Sequence, residues 1–150
     1  GKLAEIMAKG VYDLLDVNDY DCIVPVPIHK KKLRKRGYNQ MDLIGRKMSD
    51  KLGIPIDAQS LIKKEDTPPQ RGLTRAERIE NIKGSVSIID SSKIAGKRVL
   101  LIDDVMTTGS TANECARVLL KEGKASNVDV LTLTRVVFSD LLDNEKDLDF

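Results

Sequence analysis

The run VLLIDDVMTTGST at residues 99–111 places two adjacent acids between an apolar segment and a loop of small hydroxyl residues. Asp103 and Asp104 would repel a phosphate group, so they need a partner that carries hydroxyl donors, a cation or both. The loop has the opposite preference, because backbone N–H groups at the start of a helix and nearby hydroxyls bind anions. Its predicted phosphate donors are Thr107, Thr108, Gly109, Ser110 and Thr111. A sugar with a 5′-phosphate and free 2′ and 3′ hydroxyls satisfies both halves of the run.

Other acid-pair and phosphate-loop motifs fit this run less well. A buried strand that ends in a capped helix would explain an isolated Asp-Asp or Thr-Gly pair, but not the whole run. The sequence contains neither a G-x-x-x-x-G-K-[ST] loop nor a G-x-G-x-x-G fingerprint. A receiver domain needs a phospho-accepting Asp well downstream of its acid pair, and the 46 residues after Asp104 are too few for that arrangement. The run therefore favours a ribose-phosphate site.

A second distinctive segment, VPVPIHKKKLRKRGYNQ at residues 24–40, concentrates positive charge. Six of the 25 basic residues lie within residues 30–36, and the rest of the chain carries 19 basic against 23 acidic residues. We interpret residues 30–36 as a loop. Alone, such a run is as typical of a solvated surface or a nucleic-acid contact as of a small-anion site. The concentration of charge in one segment favours an anionic partner near it.

The remaining reactive side chains are assigned structural roles. His29, the only histidine, is interpreted as a structural residue or a polar loop contact rather than a general base. Cys22 and Cys115 have no metal-ligand spacing, and we expect both to be reduced thiols in the core rather than a disulfide or a nucleophile.

The elements that must position these residues alternate between helices and strands. Apolar residues recur at helical spacing, and short apolar runs mark buried strands. The predicted helices are residues 3–15, 41–52, 74–81 (opened by a Thr74–Glu77 capping box) and 110–120, and the predicted strands are 21–26, one within 54–62, an edge strand at 85–89, 99–102 and 128–133. This order predicts an α/β domain with a mainly parallel sheet, whose ligands bind at the carboxyl ends of strands. Both distinctive segments follow such ends.

Composition limits the class of protein. The chain has 150 residues, which indicates one domain with a sizeable core, and 41% hydrophobic against 32% charged residues, which excludes a disordered chain. No apolar run reaches the ~20 residues of a membrane span, and no signal-peptide pattern opens the chain. We therefore expect a cytoplasmic protein with no membrane span.

Three motifs together resemble a known family. The run at 99–111 resembles the 5-phosphoribosyl-1-pyrophosphate (PRPP) motif of type I phosphoribosyltransferases. PVPIHK…RxRGYNQ, then PQRGLTRxER…NIKG, then the acid-pair run resemble the ComF family of competence-associated proteins, in order and over residues 22–135. The resemblance implies a single Rossmann-like domain over residues 1–150, with a twisted parallel sheet flanked by helices and a flexible loop. Family members often carry an N-terminal four-cysteine zinc module; none is present in these 150 residues, either because it was removed or because this member lacks it.

The same resemblance implies a role for each candidate residue. Asp103 and Asp104 would hold the ribose hydroxyls and contact Mg²⁺, which is bound mostly through ribose and pyrophosphate oxygens, while residues 107–111 wrap the 5′-phosphate. The implied pyrophosphate-side residues are Lys30, Lys31, Arg34, Arg36, Tyr38, Asn39 and Gln40. A flexible loop over residues 65–74 would close on PRPP, with Arg71 and Gly72 on it and Arg75 and Arg78 on or beside it. For Arg75 and Arg78 a surface ion pair with Glu77, Glu80 or another acid is an equal alternative.

The implied reaction transfers 5-phosphoribosyl from PRPP to a nitrogen acceptor and releases pyrophosphate. Thr107 stands where enzymes for 6-oxopurines usually have an Asp base, which argues against that activity. Arg135 and Phe138 are our prediction for a wall of the acceptor pocket. Two other functions stay open: a non-catalytic sensor of PRPP or nucleotides, and an accessory protein that binds single-stranded DNA. Single-stranded DNA, competence proteins and a second copy of the chain are the further partners considered.

Overall fold

The structure, a computed structural model, describes residues 2–67, 72–106 and 109–135. Helices and strands alternate along these residues, as the hydrophobic pattern predicts. In chain order they are α1 (Lys2–Leu14), β1 (Cys22–Pro25), α2 (Lys30–Arg36), α3 (Gln40–Leu52), β2 (Leu61–Lys63), α4 (Arg75–Ile82), β3 (Val86–Ile88), β4 (Arg98–Met106), α5 (Ser110–Lys121) and β5 (Asn127–Arg135).

The central sheet is parallel and has the strand order β1–β4–β5. Cys22 lies opposite Val99, and Arg98 lies opposite Asn127. A further extended segment lies along the other edge of β1, where the Ile23 N–H donates to the Pro55 carbonyl oxygen at 2.7 Å and Ile23 oxygen accepts from the Asp57 N–H at 2.9 Å. The predicted α/β class with a mainly parallel sheet is therefore confirmed.

Helices cover both faces of this sheet and form one hydrophobic cluster with each face. The side chains of β4 contribute to both clusters. Leu100 and Ile102 are fully buried among residues of α1 and α3. Val99 and Leu101, which alternate with them, are fully buried on the other face among residues of α5. Successive side chains of β4 thus point to opposite layers, as a strand requires.

A small antiparallel pair of strands stands apart from the central sheet. β2 pairs with β3, with Leu61 opposite Ile88. The predicted strand at 85–89 is therefore present, but it pairs with β2 in this second sheet. The predicted capping box opens α4: the Glu77 N–H donates to Thr74 Oγ1 at 3.2 Å, and the Thr74 N–H donates to Glu77 Oε2 at 2.6 Å.

The basic segment is a helix, so our interpretation of residues 30–36 as a loop is wrong. His29 Nδ1 accepts a hydrogen bond from the Lys31 N–H at 3.2 Å and caps the start of α2. Gly37 ends the helix in the left-handed conformation with φ 82°. Lysine and arginine are good helix formers, and with a cap at both ends they outweigh the repulsion between their charges. The structural role predicted for His29 agrees with this cap.

The acid pair also lies differently from our prediction, because β4 continues to Met106 instead of ending at residue 102. Asp103 is still paired with β5, opposite Thr132. β5 is also longer than predicted, and its β-branched threonines favour an extended backbone. The two acids are therefore part of a strand and not of the loop that follows it.

The two cysteines are free and buried, as predicted. None of the helices in residues 2–67, 72–106 and 109–135 is both long and apolar enough to cross a membrane.

Candidate ribose-phosphate site

The fold joins the two distinctive segments where β1 ends beside Ile102 of β4. The Val26 N–H, just after β1, donates to the Ile102 carbonyl oxygen at 2.9 Å, one residue before Asp103. Asn39 Nδ2 donates to the Val26 carbonyl oxygen at 3.2 Å and so ties the far end of the basic segment to the same place. Residues that are far apart in sequence thus meet where parallel sheets bind ligands.

Asp103 is a half-buried carboxyl in this region. Its position on β4 continues the face formed by Val99 and Leu101, toward α5. Its Oδ1 accepts the Asp104 N–H at 2.8 Å. Burial, together with the neighbouring Asp104 charge, raises the pKa of Asp103 to about 7 against the lowering effect of that hydrogen bond. Asp103 can therefore be neutral or ionised near neutral pH.

Asp104 follows on the opposite face, in line with Leu100 and Ile102. A ligand that contacts both acids must therefore lie across the end of β4 and not on one face of the sheet. The ring of a ribose, with two adjacent hydroxyls, has a suitable size and hydrogen-bonding capacity for such a position. Charge-assisted hydrogen bonds to ionised carboxylates are among the stronger ones in proteins.

The predicted 5′-phosphate loop is described from Gly109 onward; Thr107 and Thr108 lie outside the described residues. Gly109 has φ 77° and precedes α5 without a side-chain hydrogen bond that caps the helix. This left-handed backbone favours glycine, because a Cβ would be strained there. Ser110 is buried and Thr111 half-buried in the first turn of α5. The start of α5 has the backbone geometry of an anion site.

The predicted pyrophosphate residues fall into two groups. Lys30, Lys31, Arg34 and Arg36 are exposed on α2, and no cation of α2 forms an ion pair with an acid in the described part of the chain. Tyr38, 48% exposed, and Lys30 line a cleft of about 540 Å³ between α2 and β2. This group presents an uncompensated positive surface.

The second group is already engaged in the fold. Asn39 caps α3, because its Oδ1 accepts the Met41 N–H at 3.1 Å while its amide nitrogen holds Val26. Gln40 lines a different cleft of about 350 Å³, together with Lys2 and Ala4 of α1. Asn39 therefore positions the basic segment, and Gln40 lies beside α1.

The predicted flexible loop is described only at its ends. Arg71 lies outside the described residues, whereas Gly72, with φ 79°, and Arg75 are exposed. Arg78 Nε donates to the Leu73 carbonyl oxygen at 3.0 Å, so this arginine braces the end of the loop. Of the predicted acceptor wall, Phe138 lies outside the described residues, and only the backbone of Arg135 is described, as the last residue of β5.

Sequence reasoning missed Glu114 and two lysines at the end of β2, Lys63 within it and Lys64 just after it. Glu114 is a buried acid on the apolar side of α5, beside Cys115 and Val118. Its signal was a charged residue at helical spacing among apolar ones. Lys63 and Lys64 line the cleft opposite α2, which follows from the placement of β2 and has no signal in the local sequence.

The acids fit the limited role expected of Mg²⁺ ligands. Carboxylate oxygens suit this hard cation, which usually keeps waters and substrate phosphates as its other ligands. Within the described residues, no three His, Cys, Asp or Glu side chains cluster closely enough to hold a metal ion by themselves. Asp103 and Asp104 would hold the ion together with the oxygens of a bound ligand.

Comparison with known proteins agrees with this fold. The family model of the phosphoribosyl transferase domain matches residues 43–147. Competence protein F of Haemophilus influenzae is 39% identical over 105 residues, which are 69% of this chain and 45% of that protein. Competence protein ComFC of Bacillus subtilis is 31% identical over 113 residues, 75% of this chain and 44% of that protein. The chain therefore spans about half the length of these relatives.

A solved structure shows the same fold at low identity. Adenine phosphoribosyltransferase from Thermoanaerobacter pseudethanolicus superposes with a TM-score of 0.58 and 20% identity, covering 99% of this chain and 73% of that one. The predicted type I phosphoribosyltransferase fold is thereby confirmed. Together with the matched domain and the competence-protein relatives, it shows that the chain belongs to the phosphoribosyl transferase domain family and, within it, to the ComF family.

Proposed function

We propose that this chain binds PRPP with Mg²⁺ and transfers its 5-phosphoribosyl group to a nitrogen acceptor, releasing pyrophosphate. The hydrogen bond between Val26 and Ile102 is the observation that carries the proposal. It places the start of the basic segment beside Asp103, so that a ligand with hydroxyls and two separated anionic groups can contact all three parts of the site. PRPP has this distribution of groups.

In the proposed reaction the acceptor nitrogen forms a bond to C1 of the ribose as the C1–oxygen bond to pyrophosphate breaks. The bonding electrons leave with pyrophosphate, and the sugar passes through an oxocarbenium-like transition state. Asp103 and Asp104 hold the hydroxyls and keep the ring in place, while the cations of α2 and the loop arginines stabilise the leaving group. Bound Mg²⁺ would supply further positive charge at the pyrophosphate oxygens.

The test is calorimetric titration of PRPP in the presence of Mg²⁺. We expect the wild-type chain to bind with micromolar affinity, which corresponds to about 8 kcal/mol. Asp104→Asn removes a charge-assisted contact worth roughly 1.5–3 kcal/mol, so its affinity should be about ten- to a hundred-fold weaker. Asp50→Asn, an exposed position on α3, is the matched control and should bind as the wild type does.

Release of pyrophosphate with a panel of nitrogen acceptors then separates two functions. Binding together with acceptor-dependent release supports the transferase. Binding without release for any acceptor would favour the sensor of PRPP or nucleotides. If the wild-type chain binds no PRPP, the proposal of a ribose-phosphate site is wrong.

Binding of single-stranded nucleic acid is a second candidate function, favoured by the surface of α2. Its cations are unpaired with the described acids, and the exposed Tyr38 follows them directly. Lys63 and Lys64 face α2 across the 540 Å³ cleft. Positive charge along a groove with an exposed aromatic ring is typical of proteins that hold the backbone of a single strand and stack its bases. Two of the relatives are competence proteins, which is consistent with a partner of this class.

A further inference from the structure

Glu114 is a buried carboxylate that the proposed reaction does not use. It lies on α5 one turn after Ser110 and is 8% exposed. Its Oε1 accepts from the Gly84 N–H at 2.9 Å and from Arg117 Nη2 at 2.8 Å, and its Oε2 accepts from Arg117 Nε at 2.9 Å. Both oxygens are therefore satisfied, and the Arg117 guanidinium together with the Gly84 N–H lowers the pKa of Glu114, so the group is ionised.

The connection between β2 and β3 contains α4, and Gly84 lies near the end of this connection, just before β3. It follows α4 and has φ 74°. The backbone carbonyl oxygen of the next residue, Ser85, accepts the Lys64 N–H at 2.9 Å and so joins the two ends of this connection. Residues 72–84, which carry Arg75 and Arg78, are thus attached to α5 through a side chain at their carboxyl end.

A role in stability alone does not require a charged residue at this position. Glu114 is buried while the Arg117 side chain is 39% exposed, so the pair is partly desolvated, and well-packed apolar residues often replace buried ion pairs without loss of stability. The Glu114 carboxylate makes a directional hydrogen bond, which fixes the position of the Gly84 N–H relative to the axis of α5. Since α5 begins at the predicted 5′-phosphate loop, this bond joins that subsite to the segment that carries Arg75, a residue of the predicted flexible loop that would close on PRPP.

We propose that Glu114 is a positioning residue that couples the two anion subsites, so that a phosphate bound at the start of α5 fixes the position of residues 72–85 relative to α5 for contact with pyrophosphate. This inference rests on the proposed function and concerns the regulation of the same site. Coupling of this kind is reciprocal: each ligand raises the affinity for the other by the same factor.

The experiment measures that factor with separate ligands. Pyrophosphate with Mg²⁺ is titrated into the protein with and without saturating ribose 5-phosphate. We expect ribose 5-phosphate to raise pyrophosphate affinity at least five-fold in the wild type and less than two-fold in Glu114→Ala. Glu114→Gln keeps an oxygen that can accept the Gly84 N–H, so it should restore a coupling factor above that of the alanine variant.

Glu122→Ala is the matched control, because Glu122 also contacts Arg117, at 3.6 Å, but no hydrogen bond joins it to Gly84 in the described residues. It should keep the wild-type coupling. Amide hydrogen exchange of the wild type gives a readout that needs no substitution: ribose 5-phosphate should slow exchange over residues 72–85.

Three results would overturn the inference. The first is a wild-type coupling factor near one, and the second is an equal coupling factor in the wild type and Glu114→Ala. The third is amide hydrogen exchange over residues 72–85 that ribose 5-phosphate leaves unchanged. If the wild type binds neither ligand, the proposed function fails as well. Binding of both ligands without coupling would leave the proposed function intact and reject only the role of Glu114.

Discussion

Asp103 shows how one residue can depend on its burial for its chemistry. A carboxyl on an exposed loop would be ionised at neutral pH, whereas on β4 burial and the adjacent acid raise its pKa to about 7. The folded protein therefore binds a proton at Asp103 between about pH 4 and pH 7 that the unfolded chain does not bind. Its contribution to the free energy of unfolding should decrease as pH rises through this interval and stay constant above it.

We predict that Asp103→Asn removes this pH dependence. The amide keeps an oxygen for the Asp104 N–H but never ionises, so the variant should gain stability relative to the wild type at pH 8 compared with pH 5. The expected difference is roughly 1–4 kcal/mol, measured by denaturant unfolding of the ligand-free protein at both values. Asp50→Asn serves as the exposed control. Equal effects of Asp103→Asn at pH 5 and pH 8 would contradict the raised pKa.

At the scale of elements, α2 holds the cations of the basic segment in a fixed order. Lys30 and Leu33 line the cleft beside β2. Lys31, Arg34 and Lys35 are three and four residues apart and therefore share another face of the helix. A flexible loop would not present such a constant pattern of charge. Because the cations occupy defined faces of α2, substitutions on one face can test the second candidate function, which is binding of single-stranded nucleic acid.

We predict that Lys31, Arg34 and Lys35, changed together to Gln, weaken the binding of a single-stranded oligonucleotide. Because each lost phosphate contact lowers the dependence of log K on log salt by about 0.7, the slope should fall by about 2. The measurement is fluorescence anisotropy over a series of salt concentrations. Lys47, Lys93 and Lys121, exposed elsewhere and changed together to Gln, alter the net charge equally and should leave the slope unchanged. A similar loss in both triple variants would mean that α2 is not the binding surface.

At the scale of the whole molecule, the site depends on close packing of α3 against the sheet. Gly45 makes this approach possible: a Cβ there would lie 2.7 Å from Ile56 Cδ1 and 3.1 Å from Ile102 Cδ1. Ile102 is also the residue whose carbonyl oxygen accepts the Val26 N–H. The contact that aligns the ends of β1 and β4 thus lies directly beside the contact that seats α3.

We predict that Gly45→Val lowers the free energy of unfolding by about 1–3 kcal/mol, because the added methyl groups overpack the space between α3 and the sheet. Gly10→Val is the control, since a Cβ at Gly10 has no neighbour within 4 Å, and its effect should stay within about 0.5 kcal/mol. Both are measured by denaturant unfolding. The close approach of α3 would be unsupported if the two variants had the same stability.

The sequence by itself determined the class of fold, most of its elements and the identity of the acid pair. Hydrophobic period and capping signals are local, so the helices, the Thr74–Glu77 box and the buried strands can be identified from neighbouring residues. The motif at 99–111 is also contiguous, so a ribose-phosphate site can be proposed there from the sequence alone.

Only the tertiary structure decided how these parts combine. Pairing with β5 extends β4 past the acids and directs them to opposite faces, and caps at both ends make the basic segment helical. Val26 contacts Ile102, and Glu114 holds Gly84, across large separations in sequence. These contacts depend on packing between distant segments, and no local pattern encodes such packing. Burial has the same origin, and it is burial that gives Asp103 its raised pKa.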